Sequence, residues 1–277
     1  MSIRRSEIIA YLNEMAPEQL AESWDNSGLL LAGPDRNVDK VLLCLDVTDQ
    51  AVETAAKINA GLIISHHPLL FSPLRRITVK EQLGNLIFQL IRNNIDVYCA
   101  HTNVDKTYGG LNDLLAGIIG VEENRSEELP VGSEQYPYRI GNMDSVYSID
   151  AFNAHVSARL KQEDLLISDL SVRDDELKRR KTIQRVAVMC GSFDLPISVL
   201  MEQGVDAVVS GEMKHHQVLQ LIGVGIHVVC AGHHGSERFF STLLQKWLNE
   251  RFPQLEVHCV GFDSYPLCAY SLKQPEF

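Results

Sequence analysis

The residues of this chain best suited to chemistry are histidines and carboxylates gathered in four short stretches. SHHPLLF (65–71) carries His66 and His67, and AHTNVD (100–105) carries His101 and Asp105. SGEMKHH (210–216) carries Glu212, His215 and His216, and AGHHGSE (231–237) carries His233, His234 and Glu237. Neutral imidazole is a good ligand for zinc, iron, nickel and copper, and a carboxylate can bridge two cations. Adjacent histidines on an extended segment point to opposite sides, so His66 and His67 suit two ions better than they chelate one. Two ions roughly 3.5–4 Å apart can share one water and polarise a substrate oxygen. The pattern points to a two-metal site with a carboxylate between the ions. Zinc, iron, manganese, nickel and cobalt all suit such donors.

Other chemistries find less support. No G-x-S-x-G elbow accompanies a Ser-His-Asp set, and no G-x-x-x-x-G-K-[ST] phosphate loop is present. His155, His227 and His258 read as hydrogen-bonded or solvated side chains.

The four stretches follow apolar runs that look like buried strands. KVLLCLD (40–46), GLIIS (61–65) and IDVYCA (95–100) alternate with helical segments, and RVAVMC (185–190), VDAVVS (205–210) and IHVVCAG (226–232) do the same later. Alternation of this kind gives βαβ units and a largely parallel sheet. The halves also match each other. AGLIISHHPLL aligns with VDAVVSGEMKHH, and IDVYCAHTNVD with IHVVCAGHHGSE, which reads as an internal repeat of one α/β unit. In parallel sheets, ligands bind beyond the carboxyl ends of the strands, where these polar residues fall.

Several local expectations follow. Ser6 caps a first helix that Pro17 ends, and Thr48 or Asp49 caps a second. Ser236 caps a long helix through SERFFSTLLQKWLNE, placing Glu237 in its first turn, where negative charge is favoured. Between about Glu122 and Arg185 the strand pattern weakens, with one clear helix in IDAFNAHVSARLKQ. LEVHCVG (255–261) reads as a last strand.

The bulk numbers narrow the function. With 277 residues, of which 45% are hydrophobic and 22% charged, the chain is long enough for two domains. Its net charge of −11 disfavours nucleic acid as a partner. The basic run ELKRRKTIQR (176–185) reads as a solvated linker or helix end. Six cysteines include no C-x-x-C pair, and Cys44, Cys99, Cys190, Cys230 and Cys259 lie in or beside apolar runs, as buried free thiols in a reducing compartment do. No signal peptide or membrane-length apolar run is apparent, so a cytoplasmic location is expected.

Taken in order, WDNSGLLLAG (24–33), IISHHPLLF (63–71), AHTNVDKTYGGLNDLLA (100–116), RVAVMCGS (185–192), SGEMKHH and AGHHGSE make the chain resemble the Nif-three-like family over nearly its whole length. Members are often labelled GTP cyclohydrolase I type 2 homologues. The resemblance implies two intertwined α/β domains of similar topology, mostly parallel sheets flanked by helices, with a two-metal site in the cleft between them. The expected division is 1–125 plus 236–277 for the first, discontinuous domain and 126–235 for the second. It implies His66, His67, Asp105, His233 and Glu237 as ligands of two divalent cations, with Glu237 bridging. His101 would stand beside them as a supporting group, a weak ligand or a proton shuttle. It also implies a ring-like homohexamer and hydrolytic opening of the GTP purine ring.

Glu212 stands where many members carry Asp, and His234 where many carry Tyr. Glu212 and His215 are candidates for contacting the substrate or supporting a ligand, and Arg75, Arg76, Lys214 and Arg238 for meeting a triphosphate. The alternative is a metal-binding carrier, regulator or interaction scaffold without turnover.

Overall fold

Four buried residues make up each of the strands β5 (Leu62–Ser65), β6 (Asp96–Cys99) and β12 (His227–Cys230), and this sets the architecture. A strand without an exposed face must be covered on both sides. The computed structural model describes residues 3–122, 136–172 and 182–260.

The first sheet has a parallel core of β4 (Lys40–Cys44), β5 and β6. β13 (Glu256–Cys259) is parallel beside β4, and β2 (Gly28–Leu31) is antiparallel beyond β6. The second sheet has a parallel core of β10 (Thr182–Ser192), β11 (Ala207–Glu212) and β12, with β9 (Leu166–Ile167) antiparallel beyond β12. On its other side β8 (Arg139–Ser148) and β7 (Val121–Glu122) pair antiparallel. A separate ribbon pairs β1 (Ile3–Arg4) with β3 (Asn37–Val38). The order β4-β5-β6-β2 is thus repeated as β10-β11-β12-β9: the parallel strands are the unit read from the sequence, and the antiparallel β2 and β9 extend the repeat beyond that reading.

One apolar core joins the sheets. Leu43, Ile64 and Tyr98 of the first share it with Val188, Val209 and Val229 of the second. Helix α10 (Phe240–Arg251) packs on β4 and β13 within this core, and α5 (Leu111–Ile119) packs on β10. The outer face of sheet one is covered through Val52 and Ala55 of α2 (Asp49–Ile58) and Leu86 and Leu90 of α3 (Gln82–Arg92). The outer face of sheet two is covered through Leu200 of α7 (Ile197–Glu202) and Leu221 of α8 (His215–Gly223). Among the described residues no helix is long and apolar enough to cross a membrane.

Thr48 caps α2 as expected, its hydroxyl accepting from Ala51 N–H at 3.2 Å. Ser6 does not cap α1 (Arg5–Met15): Arg4 holds that position, and the Ser6 hydroxyl donates to Asp35 at 2.8 Å. Nor does Ser236 cap a long helix. It lies inside the one-turn α9 (His233–Glu237), and α10 begins only at Phe240. The Ser236 hydroxyl accepts from Gly191 N–H (3.0 Å) and donates to His233 O (2.8 Å), tying the turn to sheet two. Glu237 is therefore the last residue of a short turn.

Cys44, Cys99, Cys190 and Cys230 are buried free thiols, but Cys259 is exposed because it ends an edge strand. Cys268 and residues 176–181 of the basic run lie outside the described residues. The ten-residue β8 falls in the segment where the strand pattern looked weak: Gly141, Asn142 and Asp144 hide it, although every second residue from Arg139 to Met143 is buried.

Candidate metal centre

Parallel strands end on the same edge of a sheet, and here the carboxyl ends of both sheets supply one cluster. After β5 the chain bends at His66 and His67. Alternation stops with the strand, so the two rings, 5.1 Å apart and inclined by 44°, both turn toward the cluster. His101 follows β6, and the turn α9 after β12 presents His233 and Glu237.

Each of these four imidazoles is held through Nδ1. His66 Nδ1–H donates to Ala100 O (3.0 Å), and His67 Nδ1–H to Asp46 Oδ1 (2.8 Å). His101 Nδ1–H donates to Asp25 Oδ1 (2.7 Å), and His233 Nδ1–H to Glu212 Oε1 (3.1 Å). Anchoring one ring nitrogen fixes the tautomer and leaves the Nε2 lone pair for a ligand. Imidazole nitrogens of His66, His67 and His101 lie within 4.8 Å of one another, as do donor atoms of His67, His233 and Glu237.

The Nε2 atoms of His67 and His233 each lie 3.0 Å from Glu237 Oε2 and 3.3 Å from each other. His66 Nε2 is fully buried, 3.6 Å from Glu237 Oε1 and 3.7 Å from Asp105 Oδ1, and has no hydrogen-bond partner among the described residues. Lone pairs aimed at carboxylate oxygens repel unless a proton or a cation stands between them. A polar nitrogen buried without a partner is costly. With metal–ligand bonds of about 2.0–2.2 Å, neighbouring ligands of one ion lie roughly 3.0–3.6 Å apart, the spacing found here. The residues fit a metal site. Glu237 turns one oxygen toward His66 and the other toward His67 and His233, as a bridging carboxylate does. Asp105, nearly buried at 9% exposure, accepts from the Cys190 thiol at 3.3 Å and faces His66.

Without cations, protons fill this role. Burial works against a charged His67, yet the Asp46 and Glu237 carboxylates push it up to about 10. His233 is pushed up to about 9, mainly by its hydrogen bond to Glu237. Burial also works against charge on Glu237, but His66, His233 and His67 hold its carboxyl well below the usual range. The two raised histidines contribute stability that is complete below their unfolded value of about 6.5 and lost as pH rises through 9 to 10. Chelator-treated protein should therefore melt at progressively lower temperature from pH 6.5 to 10. Cation-loaded protein should show no such loss, because metal binding has already displaced those protons. Equal pH profiles with and without cation would contradict this.

Asp46 and Asp25 were not singled out from the sequence, yet they orient His67 and His101. Asp46 closes KVLLCLD at a strand end, the same signal as the others without a histidine beside it. Asp25 precedes an edge strand and offers no such signal; it reaches His101 because Thr102 N–H and the Ser27 hydroxyl also donate to it (3.2 and 2.9 Å). Asp46→Asn should weaken metal binding about tenfold, the usual cost of losing a partner that orients a ligand. Titration with a competing chelator measures this, and wild-type affinity would refute it.

A cavity of about 800 Å³ opens onto the cluster, lined among others by His67, His101, His233, Glu237, Trp24, Phe71, Phe193 and Lys214. Glu212 serves His233. His215 and His216 are exposed at the start of α8, and Arg75 and Arg76 are exposed, with Arg76 paired to Glu81 at 3.1 Å. None of these four lines the cavity. The Arg238 guanidinium donates to Leu160 O and lies over Phe239. His155 and His227 are hydrogen-bonded, to Ile119 O and Asn153.

A family model described as Duf34/NIF3 (NGG1p interacting factor 3) matches residues 3–266. A Clostridium perfringens protein named GTP cyclohydrolase 1 type 2 homolog is 31% identical over 238 residues, 85% of this chain and 87% of that one. NIF3-like protein 1 of Drosophila melanogaster is 30% identical over 248 residues, 88% and 82% of the two chains. A Bacillus cereus protein related to NIF3 has the same fold, with a TM-score of 0.81 over 98% of this chain and 100% of that one at 21% identity.

Proposed function

This chain belongs to the Duf34/NIF3 family, and we propose that it is a two-metal hydrolase whose cations are held by His66, His67, Asp105, His233 and the bridging Glu237. One observation carries the reading: the buried, partnerless His66 Nε2 and the opposed Nε2 atoms of His67 and His233 all converge on one carboxylate.

Divalent cations bound there would supply Lewis acidity toward a substrate oxygen and activate a water nucleophile. The protein's own groups do the rest. Glu237 keeps its charge and holds the cluster together. His101, oriented by Asp25, offers Nε2 to accept or return a proton. Lys214, on the cavity wall, meets an anionic part of the substrate. The names of relatives such as the Helicobacter pylori GTP cyclohydrolase 1 type 2, 30% identical over 255 residues, support GTP as the first substrate to try, with hydrolytic opening of its purine ring.

The reading takes residues 1–125 plus 236–277 and residues 126–235 as two units with the centre in the cleft between them. The two sheets support this, although β7 at 121–122 already pairs in the second. It also takes the protein as a cytoplasmic, ring-like homohexamer, which should elute far above its 31.0 kDa chain mass. The decisive experiment is elemental analysis of untagged protein purified without chelator, with GTP turnover followed on the same sample. About two cations per chain and metal-dependent GTP consumption support the proposal. Two cations without turnover of any nucleotide would turn the reading to a metal carrier or scaffold, and failure to bind metal on reconstitution would overturn it.

A further inference from the structure

The cavity has a second feature besides the histidine cluster. Trp24 and Phe71 both line it, yet they are 59% and 57% exposed. Their ring centroids lie 6.1 Å apart with planes inclined by 53°, an open corner with a face of each ring free. The Trp24 ring also meets His101 edge to face, at 6.2 Å and 77°. Single exposed hydrophobic residues are common, but two adjoining aromatic rings beside a reactive cluster are not scattered surface.

The position of the corner is fixed by the site itself. Trp24 precedes Asp25, which anchors His101, and Phe71 stands four residues after His67. The Asn26 side chain donates to Leu70 O and ties the two segments together, while Glu22 N–H donates to the Thr102 hydroxyl at 2.9 Å. The segments that carry the rings are thus held in register with the imidazoles by hydrogen bonds. Lys214, which follows β11 of the second sheet, lines the same cavity.

We infer that Trp24 and Phe71 form a stacking platform for the planar heterocycle of an anionic substrate, whose reacting end lies at the histidine cluster and whose anionic end turns toward Lys214. Flat aromatic rings bind such platforms through their π-faces, with little dependence on ring substituents. The inference rests on the proposed hydrolytic centre only for where the reaction occurs; the platform itself is a separate binding element.

The protein carries its own reporter. Of its two tryptophans, Trp24 is exposed and Trp247 is buried at 6% exposure, so a stacked ring should quench only the red-shifted Trp24 emission. Fluorescence of full-length metal-loaded and metal-stripped protein should be titrated with GTP, with guanosine and with inorganic triphosphate. GTP and guanosine should quench, and inorganic triphosphate should not. Trp24→Leu should abolish the signal, and by calorimetry both Trp24→Leu and Phe71→Leu should weaken guanosine and GTP binding about tenfold with unchanged metal content. Both residues are exposed, so these variants should fold. No quenching by either ring-bearing probe, wild-type affinity in both variants, or variants that change oligomeric mass and not affinity would each overturn the inference. Quenching in protein that binds no metal would leave the platform standing and the hydrolytic centre refuted.

Discussion

Replacing Glu237 by glutamine should deprive the protein of both cations together. The substitution conserves shape, so the contacts with His66, His67 and His233 stay possible. What changes is the charge and the donor set: a carboxylate that faces three imidazole nitrogens at 3.0, 3.0 and 3.6 Å becomes an amide that donates to one of them. A neutral amide satisfies a lone pair as a hydrogen-bond donor and removes the reason for a cation to be there. Losing a bridging ligand costs more than losing an orienting partner, for which ten- to hundredfold is usual, so affinity for both ions should fall by more than about a hundredfold. Elemental analysis after dialysis against buffered free metal reads the result, with circular dichroism as the check on folding. Retention of both ions would remove Glu237 from the bridge, and loss of one ion alone would make it a terminal ligand.

Gly191→Ala should reach nearly the same end without touching a ligand. Gly191 has φ +62, and a Cβ there would lie 2.5 Å from Glu237 Oε1 and 3.6 Å from His233 Cε1. The carboxylate oxygen has no room to stay beside such an atom, so Glu237 must turn away from His66. The expected outcome is about a hundredfold weaker binding of both ions, at the upper end of what a displaced ligand costs, with the fold kept. The left-handed backbone adds a strain of about 1–2 kcal/mol for any residue with a Cβ. Gly109 separates the two effects: its φ is +72, but a Cβ there meets nothing within 4 Å. Gly109→Ala should therefore destabilise comparably and leave metal binding unchanged. Equal metal affinity in the two variants would show that the Gly191 position does not set the seat of Glu237.

Much of this protein was readable before any coordinates. The apolar runs before each histidine stretch read as buried strands, and the matching Cys-Ala ends, each followed by a histidine, revealed a repeat that the parallel strands β4-β5-β6 and β10-β11-β12 reproduce. Those signals are local: period, chain punctuation and residue type are properties of a few neighbours. For the same reason the four histidine-bearing stretches stood out. Conversely, β8 was hidden because Gly141, Asn142 and Asp144 are poor strand formers, and pairing with β10 overrides that preference. Ser236 looked like a helix cap because its neighbours suit one, while its hydroxyl was needed by Gly191, 45 residues away.

Only the tertiary structure decided which polar residues share a centre and which do not. Asp25 and His101 are 76 residues apart, and His67 and Glu237 are 170 apart. His215, a strand-end neighbour in sequence, turns out to solvent, whereas Asp46 and Asp25 turn in and orient the imidazoles. The residue types and their strand-end placement were fixed by local sequence. The direction of each Nδ1, the partnerless nitrogen of His66 and the open aromatic corner depend on how two sheets face each other, and no short-range pattern encodes that.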